Sequence, residues 1–200
     1  MRYWIDTEFI EDGKTIDLIS IGIVAQDGRE MYIELEDADL SRASPWVREN
    51  VIPHLEGCRC ESKGLNACNV WWRSTARLMV MDFCDPELYG IPEFWGYYAD
   101  YDWVALCQLF GTMLDLPTGW PMYCRDLRQE ADRIGIEGPL DQYVPVDGEH
   151  HALADARWNR RVHEFVLIDG DAPWHCCPAA PGARIPPWCT TSTATPGTAR

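Results

Sequence analysis

Three apolar segments at the start of this chain, parted only by short turn sequences, restrict its fold more than anything that follows them. Tyr3 to Asp6 reads as a strand, Glu11-Asp12-Gly13 as turn chemistry, and the isoleucine-rich run from Thr15 to Val24 as a second strand. Asp27-Gly28 then makes a tight turn into a third strand over Glu30 to Leu35. A meander of this kind pairs antiparallel. After it the pattern changes: Ser44-Pro45 has the form of an N-cap and first-turn proline, launching a helix through about Val51. Further helices are expected over Trp71 to Phe83, Trp103 to Phe110 (ended by Gly111), Leu127 to Ile134 (ended by Gly135) and Ala152 to Leu167. Strands are expected over Glu93 to Tyr98 and Pro121 to Cys124. The expected fold class is therefore α/β, with a mixed central sheet flanked by helices.

Two hundred residues, 46% of them hydrophobic, suffice for one domain with a sizeable core. That domain is expected to span 1–170. From Ala172 onward the chain holds six of its fourteen prolines and no acidic residue, so 171–200 reads as a disordered tail. Neither a signal peptide nor a membrane span is legible, which sets the expectation of a cytoplasmic protein. Nine cysteines, an odd number, fit reduced thiols in that setting. The groups His54, Cys58, Cys60, Cys68 and His175, Cys176, Cys177, Cys189 lack the Cys-x2-Cys spacing of structural zinc, so no zinc is expected.

The net charge of −15 counts against a protein that coats nucleic acid. It weighs less against a metal-dependent nuclease, because bound divalent cations supply positive charge at the site itself. The acids fall where such a site would need them. Asp6 and Glu8, two apart on a strand, point to one face, and side by side they repel unless a cation lies between them. Magnesium or manganese, which take oxygen ligands, suit the pair. Asp102 follows the aromatic strand and opens a helix, where an ordinary N-cap would also account for it. Near the end of the domain, Asp155 lies one turn into the last helix, just after two histidines, His150 and His151. A histidine there suits proton removal from a water while Asp155 binds metal. Taken alone each acid has a plain explanation as a solvated or capping residue; the ordered set points to a two-metal phosphodiesterase.

The motifs Asp6-Thr7-Glu8, Tyr98-Ala99-Asp100-Tyr101-Asp102 and His150-His151-Ala152-Leu153-Ala154-Asp155 resemble those of the DEDD superfamily of 3′-5′ exonucleases. The last motif matches the branch with His-x-Ala-x-x-Asp when His150 is its histidine. Tyr98 departs from the family's asparagine. Further segments extend the likeness: Phe9 to Gly13, Ile19-Ser20-Ile21-Gly22, Pro45 to Asn50, and Ala154 to Arg161. Over about residues 1 to 168 the chain resembles the RNase AS-type exoribonucleases of mycobacteria and phages. The resemblance implies an RNase H-like (RNase T-like) fold and a homodimer. It implies removal of nucleoside 5′-monophosphates from single-stranded RNA 3′ ends, with a preference for adenylate. Two Mg2+ or Mn2+ ions would be held by Asp6, Glu8, Asp102 and Asp155, with His150 and Glu8 as catalytic residues.

Regular helix geometry puts His151 one turn from Asp155, whereas the family's spacing selects His150. Phe9 is placed to stack on a terminal base, and Arg157 to meet a substrate phosphate, although core packing and a solvated helix face explain them as well. A DNA 3′-5′ exonuclease shares the same acid set. A catalytically silent RNA-binding module would be expected to have lost one of the acids, and none is missing.

Overall fold

A computed structural model of the protein describes residues 1–57 and 68–171. The expected tail falls outside the described residues from 172 on, as do Cys58, Cys60 and the cysteines of the second candidate zinc group. Of the described cysteines, Cys84, Cys107 and Cys124 are free thiols.

The meander forms as expected: β1 (Arg2–Glu11), β2 (Ile16–Ala25) and β3 (Glu30–Leu35) pair antiparallel in sequence order. The first hairpin is shaped by Asp12, whose Oδ1 accepts from the backbone N–H of Lys14 (3.0 Å) and Thr15 (2.7 Å). In the second, Gly28 takes φ +92 and its N–H donates to the Ala25 carbonyl at 3.0 Å. Three short parallel strands complete a six-stranded mixed sheet: β4 (Val70–Trp71) on β3, β5 (Glu93–Gly96) on β1, and β6 (Arg125–Asp126) on β5. The order across the sheet is β4-β3-β2-β1-β5-β6.

Among the described residues the α-helices are α1 (Pro45–Asn50), α2 (Arg73–Phe83), α3 (Pro86–Tyr89), α4 (Asp100–Gln108), α5 (Leu127–Arg133) and α6 (Ala152–Asp171). Ser44 caps α1 by accepting from the Val47 N–H. Period-two alternation along the strands puts a core on each face of the sheet, and Ile10 and Ile19 form a third cluster with Val47 of α1 and Val51. Tyr3, Ile5, Ile21, Ile23 and Ile33 pack with Ala76 and Val80 of α2 and Leu106 of α4 on one face. Trp4, Val24 and Trp95 pack with Leu127 of α5 and Val162 of α6 on the other. The result is the expected α/β architecture, a mixed sheet flanked by helices, consistent with an RNase H-like nuclease fold. No described helix is long and apolar enough to cross a membrane.

Among the boundaries that differ from expectation, three bear on the sheet and the site. Trp71 belongs to a strand, not to the helix that follows it, because its backbone and that of Asn69 complete β3: Glu34 N–H donates to the Asn69 carbonyl and Glu36 N–H to that of Trp71. The strand expected over Pro121 to Cys124 forms instead at Arg125–Asp126, since a proline and an apolar pair cannot outweigh where β5 presents free ladder groups. Asp102 is the third residue of α4, not the residue that opens it.

Candidate active site

The site assembles along β1. Strand β5 pairs only with Arg2, Tyr3 and Trp4, so the next stretch of β1 has an edge without a strand beside it. Buried backbone groups on that edge need other partners. Ile5 O accepts from the side-chain amide of Asn159 at 2.8 Å, and the Thr7 N–H donates to Asp102 Oδ1 at 2.8 Å. Thr7 Oγ1 donates to the same oxygen at 2.6 Å. Asp102, only 6% exposed, is thus brought from α4 to the middle of β1 with one oxygen engaged. Asp126 sets the start of α4 by accepting from the Ala99 N–H at 2.7 Å.

Cross-strand register supplies the other half. Asp6, Gly22 and Tyr32 are direct partners across β1, β2 and β3, so they share one face of the sheet. Gly22 is what lets α6 approach: a Cβ there would lie 2.2 Å from the Ala152 carbonyl oxygen. The first turn of α6 therefore sits directly on β2, and Asp155 arrives beside Asp6. Carboxylate oxygens of Asp6, Glu8 and Asp155 all lie within 4.8 Å of one another. Among the described residues this is the group of His, Cys, Asp and Glu side chains able to hold a metal ion.

Electrostatics mark the strain of this arrangement. Burial, and then the charges of Asp102, Asp155 and Glu8, push the Asp6 carboxyl well above the ordinary carboxylate range. Burial and the charges of Asp155 and Asp102 raise Glu8 to about 8. Asp102 is raised to about 6 by burial, against the pull of its two Thr7 hydrogen bonds. Asp155 is raised by burial as well, and the His150 N–H, donating to its Oδ2 at 2.9 Å, pulls the other way. Carboxylates pressed together in this way have the chemistry of a divalent-cation site. The residues present fit such ions.

The two histidines have different surroundings. His150 adopts a left-handed φ of 66 on the loop before α6, with its ring edge-on to Trp46 at 4.9 Å between centroids. His151 stacks on Tyr32, 4.3 Å between centroids, and its Nδ1 accepts from the Ala154 N–H at 3.4 Å. Phe9 stacks on Tyr101 at 5.8 Å with rings 13° from parallel, and Tyr101 is 50% exposed. Arg157 turns from the acids to the sheet edge, where Glu30 accepts from its Nε at 3.0 Å and its Nη2 at 2.6 Å.

Sequence reasoning gave no individual role to Thr7, Gly22, Tyr32, Trp46, Asp126 or Asn159, although several lie in the segments that carry the resemblance. Only Gly22 carried a signal, a glycine in the interior of a strand, which marks close backbone approach.

Comparison with known proteins gives a consistent result. A family model described as the 3′-5′ exoribonuclease Rv2179c-like domain matches residues 1–167. The 3′-5′ exoribonuclease Rv2179c of Mycobacterium tuberculosis (strain ATCC 25618 / H37Rv) is 42% identical over 173 residues, covering 86% of this chain and 96% of that protein. The 3′-5′ exoribonuclease MT2234.1 of strain CDC 1551 / Oshkosh matches to the same extent, 42% over 173 residues.

Proposed function

Because the chain belongs to the Rv2179c-like 3′-5′ exoribonuclease domain family, we propose that it shortens single-stranded RNA from the 3′ end, releasing nucleoside 5′-monophosphates. The observation that carries this reading is the convergence of Asp6, Glu8 and Asp155 within 4.8 Å on a chain of that family. We extend it to the finer expectations: a preference for adenylate, a homodimer, a cytoplasmic location, and membership of the DEDDh branch with Asp6, Glu8, Asp102 and Asp155 holding two Mg2+ or Mn2+ ions.

When bound, such ions acidify an attacking water and offset the charge that develops on the phosphate. The protein's own groups do the rest. Thr7 holds Asp102 by Oδ1. The His150 backbone fixes Asp155 by hydrogen bonding, and the His150 ring, steadied by the Trp46 edge, takes the proton of the attacking water. Glu8 works beside it as both ligand and catalytic carboxylate. Phe9, backed by Tyr101, offers a face to the terminal base, a contact worth about 1–3 kcal/mol. Arg157 is engaged by Glu30, so a phosphate would have to displace that carboxylate to use it.

Chromatography of the products from matched RNA and DNA oligomers of mixed sequence tests the reading. Nucleoside 5′-monophosphates from RNA alone, adenylate first among them, support it. Release from DNA alone, or 3′-monophosphates from RNA, would overturn it.

A further inference from the structure

We propose that Tyr32 is a positioning residue of this active site: by clamping His151 as the cap of α6, it holds the left-handed turn at His150. The inference rests on the exoribonuclease reading and names a residue remote in sequence from all the expected motifs. Tyr32 is the cross-strand partner of Gly22, itself the partner of Asp6. On the bare backbone of Gly22 the start of α6 lies against the sheet, which brings His151 over the next side chain in the row. The two rings stack with centroids 4.3 Å apart and planes 24° from parallel. Tyr32 is itself tethered, its hydroxyl donating to Glu34 Oε1 at 2.9 Å. Glu34 is buried and also accepts from the Gly57 backbone N–H at 3.1 Å, so the platform is fixed from below.

His151 then does three things at the end of α6. Its carbonyl accepts the first helical bond, from Asp155 N–H at 3.0 Å. Its Nδ1 accepts from the Ala154 N–H at 3.4 Å, as a capping side chain does. With Nδ1 accepting, the proton resides on Nε2, which faces Glu56 Oε1 at 3.7 Å. The stacked face, the capping bond and the nearby Glu56 carboxylate restrain the ring, and its backbone with it. The residue before it is forced into φ 66, a conformation non-glycine residues seldom keep unless their surroundings impose it. That turn is what puts the His150 N–H on Asp155 and the His150 ring on Trp46. The neighbouring histidines thus have divided roles, one structural and one facing the acids.

Two independent readouts test this. Steady-state cutting of RNA should show kcat reduced about tenfold or more in Tyr32→Ala, with KM changed much less, because misplacing a reacting group costs rate before it costs binding. Tyr32→Phe, which keeps the stacking ring, should restore most of that loss. His151→Ala should match Tyr32→Ala, and the double variant should be no worse than either, as for residues acting as one unit. Separately, nitrogen NMR of the wild-type imidazoles should find His151 with an unprotonated Nδ1 and a protonated Nε2. Unchanged kcat in folded Tyr32→Ala, or additive losses in the double variant, would overturn the proposal. So would a protonated Nδ1 on His151, even if Tyr32→Ala fails to fold. A wild-type protein that cuts no RNA would instead refute the exoribonuclease reading, while the NMR result would still decide the clamp.

Discussion

Replacing Asp102 by asparagine should make the metal-free protein more stable while disabling it. Asparagine keeps the Oδ1 acceptor that receives the Thr7 N–H at 2.8 Å and Thr7 Oγ1 at 2.6 Å, so packing and hydrogen bonds survive. What it removes is a charge held at a 6% exposed position. The carboxyl moves from an ordinary value of 3.8 to about 6 in the fold. One pH unit of such a displacement corresponds to about 1.4 kcal/mol, so ionising Asp102 costs the folded state about 3 kcal/mol. The sign follows from the raised value. Below pH 3.8 both states carry the proton and nothing is lost; between 3.8 and about 6 the unfolded chain ionises first and stability falls. Above that the deficit is constant for this residue. Removing the charge also relieves Asp6 and Glu8, both raised in part by Asp102, so the gain is a lower bound. For a chain of this size, about 3 kcal/mol corresponds to roughly 6–12 °C in melting temperature. The assay is thermal unfolding followed by circular dichroism in excess chelator, across pH 4 to 8, for both proteins. The variant should melt higher at pH 7, by a margin that shrinks toward pH 4, and should gain less than wild type from added magnesium. A variant that melts at or below wild type in chelator at pH 7 would refute the reasoning, as would a margin already complete at pH 4.

Other substitutions probe the scaffold. His163 lies between the Trp4 and Trp95 rings, 3% exposed, and burial pushes it down to about 4, so stability should be lost as pH falls from 6.5 through 4; in His163→Phe that acid-side loss should diminish, read by urea unfolding at pH 7 and pH 4.5. Gly22→Ala sets a methyl 2.2 Å from a backbone oxygen of α6, and should cost about 3 kcal/mol or more by thermal unfolding and misplace Asp155. Thr7→Val removes the hydroxyl bond to a buried carboxylate and should cost about 1.5–3 kcal/mol at pH 7, measured by urea titration.

The meander was legible because alternation and turn residues act locally: Asp12-Gly13 and Asp27-Gly28 shape their hairpins with their own side chains and backbone. The acids were legible for a related reason, since Asp6 and Glu8 share a strand face whatever surrounds them. What could not be read was register. That Gly22 stands between Asp6 and Tyr32 depends on pairing across two hairpins, with a register shift between Glu8 and Phe9 that no local rule announces. The roles of Tyr32, Thr7 and Asn159 follow from that pairing and from where β5 stops. Helix spacing favoured His151 over His150, yet it presumed the helix already begun; α6 starts at Ala152, and His151 serves it as a cap. Strands β4 and β6, two residues each, exist only because longer neighbours offer free ladder groups.

The central claim, that these carboxylates serve metal-dependent removal of nucleotides from RNA 3′ ends, is tested most directly with a 5′-labelled single-stranded oligoadenylate RNA. Purified protein is incubated with manganese or with excess chelator, and the products are resolved at single-nucleotide length. The account predicts a ladder shortening from the 3′ end with manganese, absent in chelator and absent for Asp155→Ala. Intact RNA in every lane from folded protein, or shortening that persists in chelator, would contradict it.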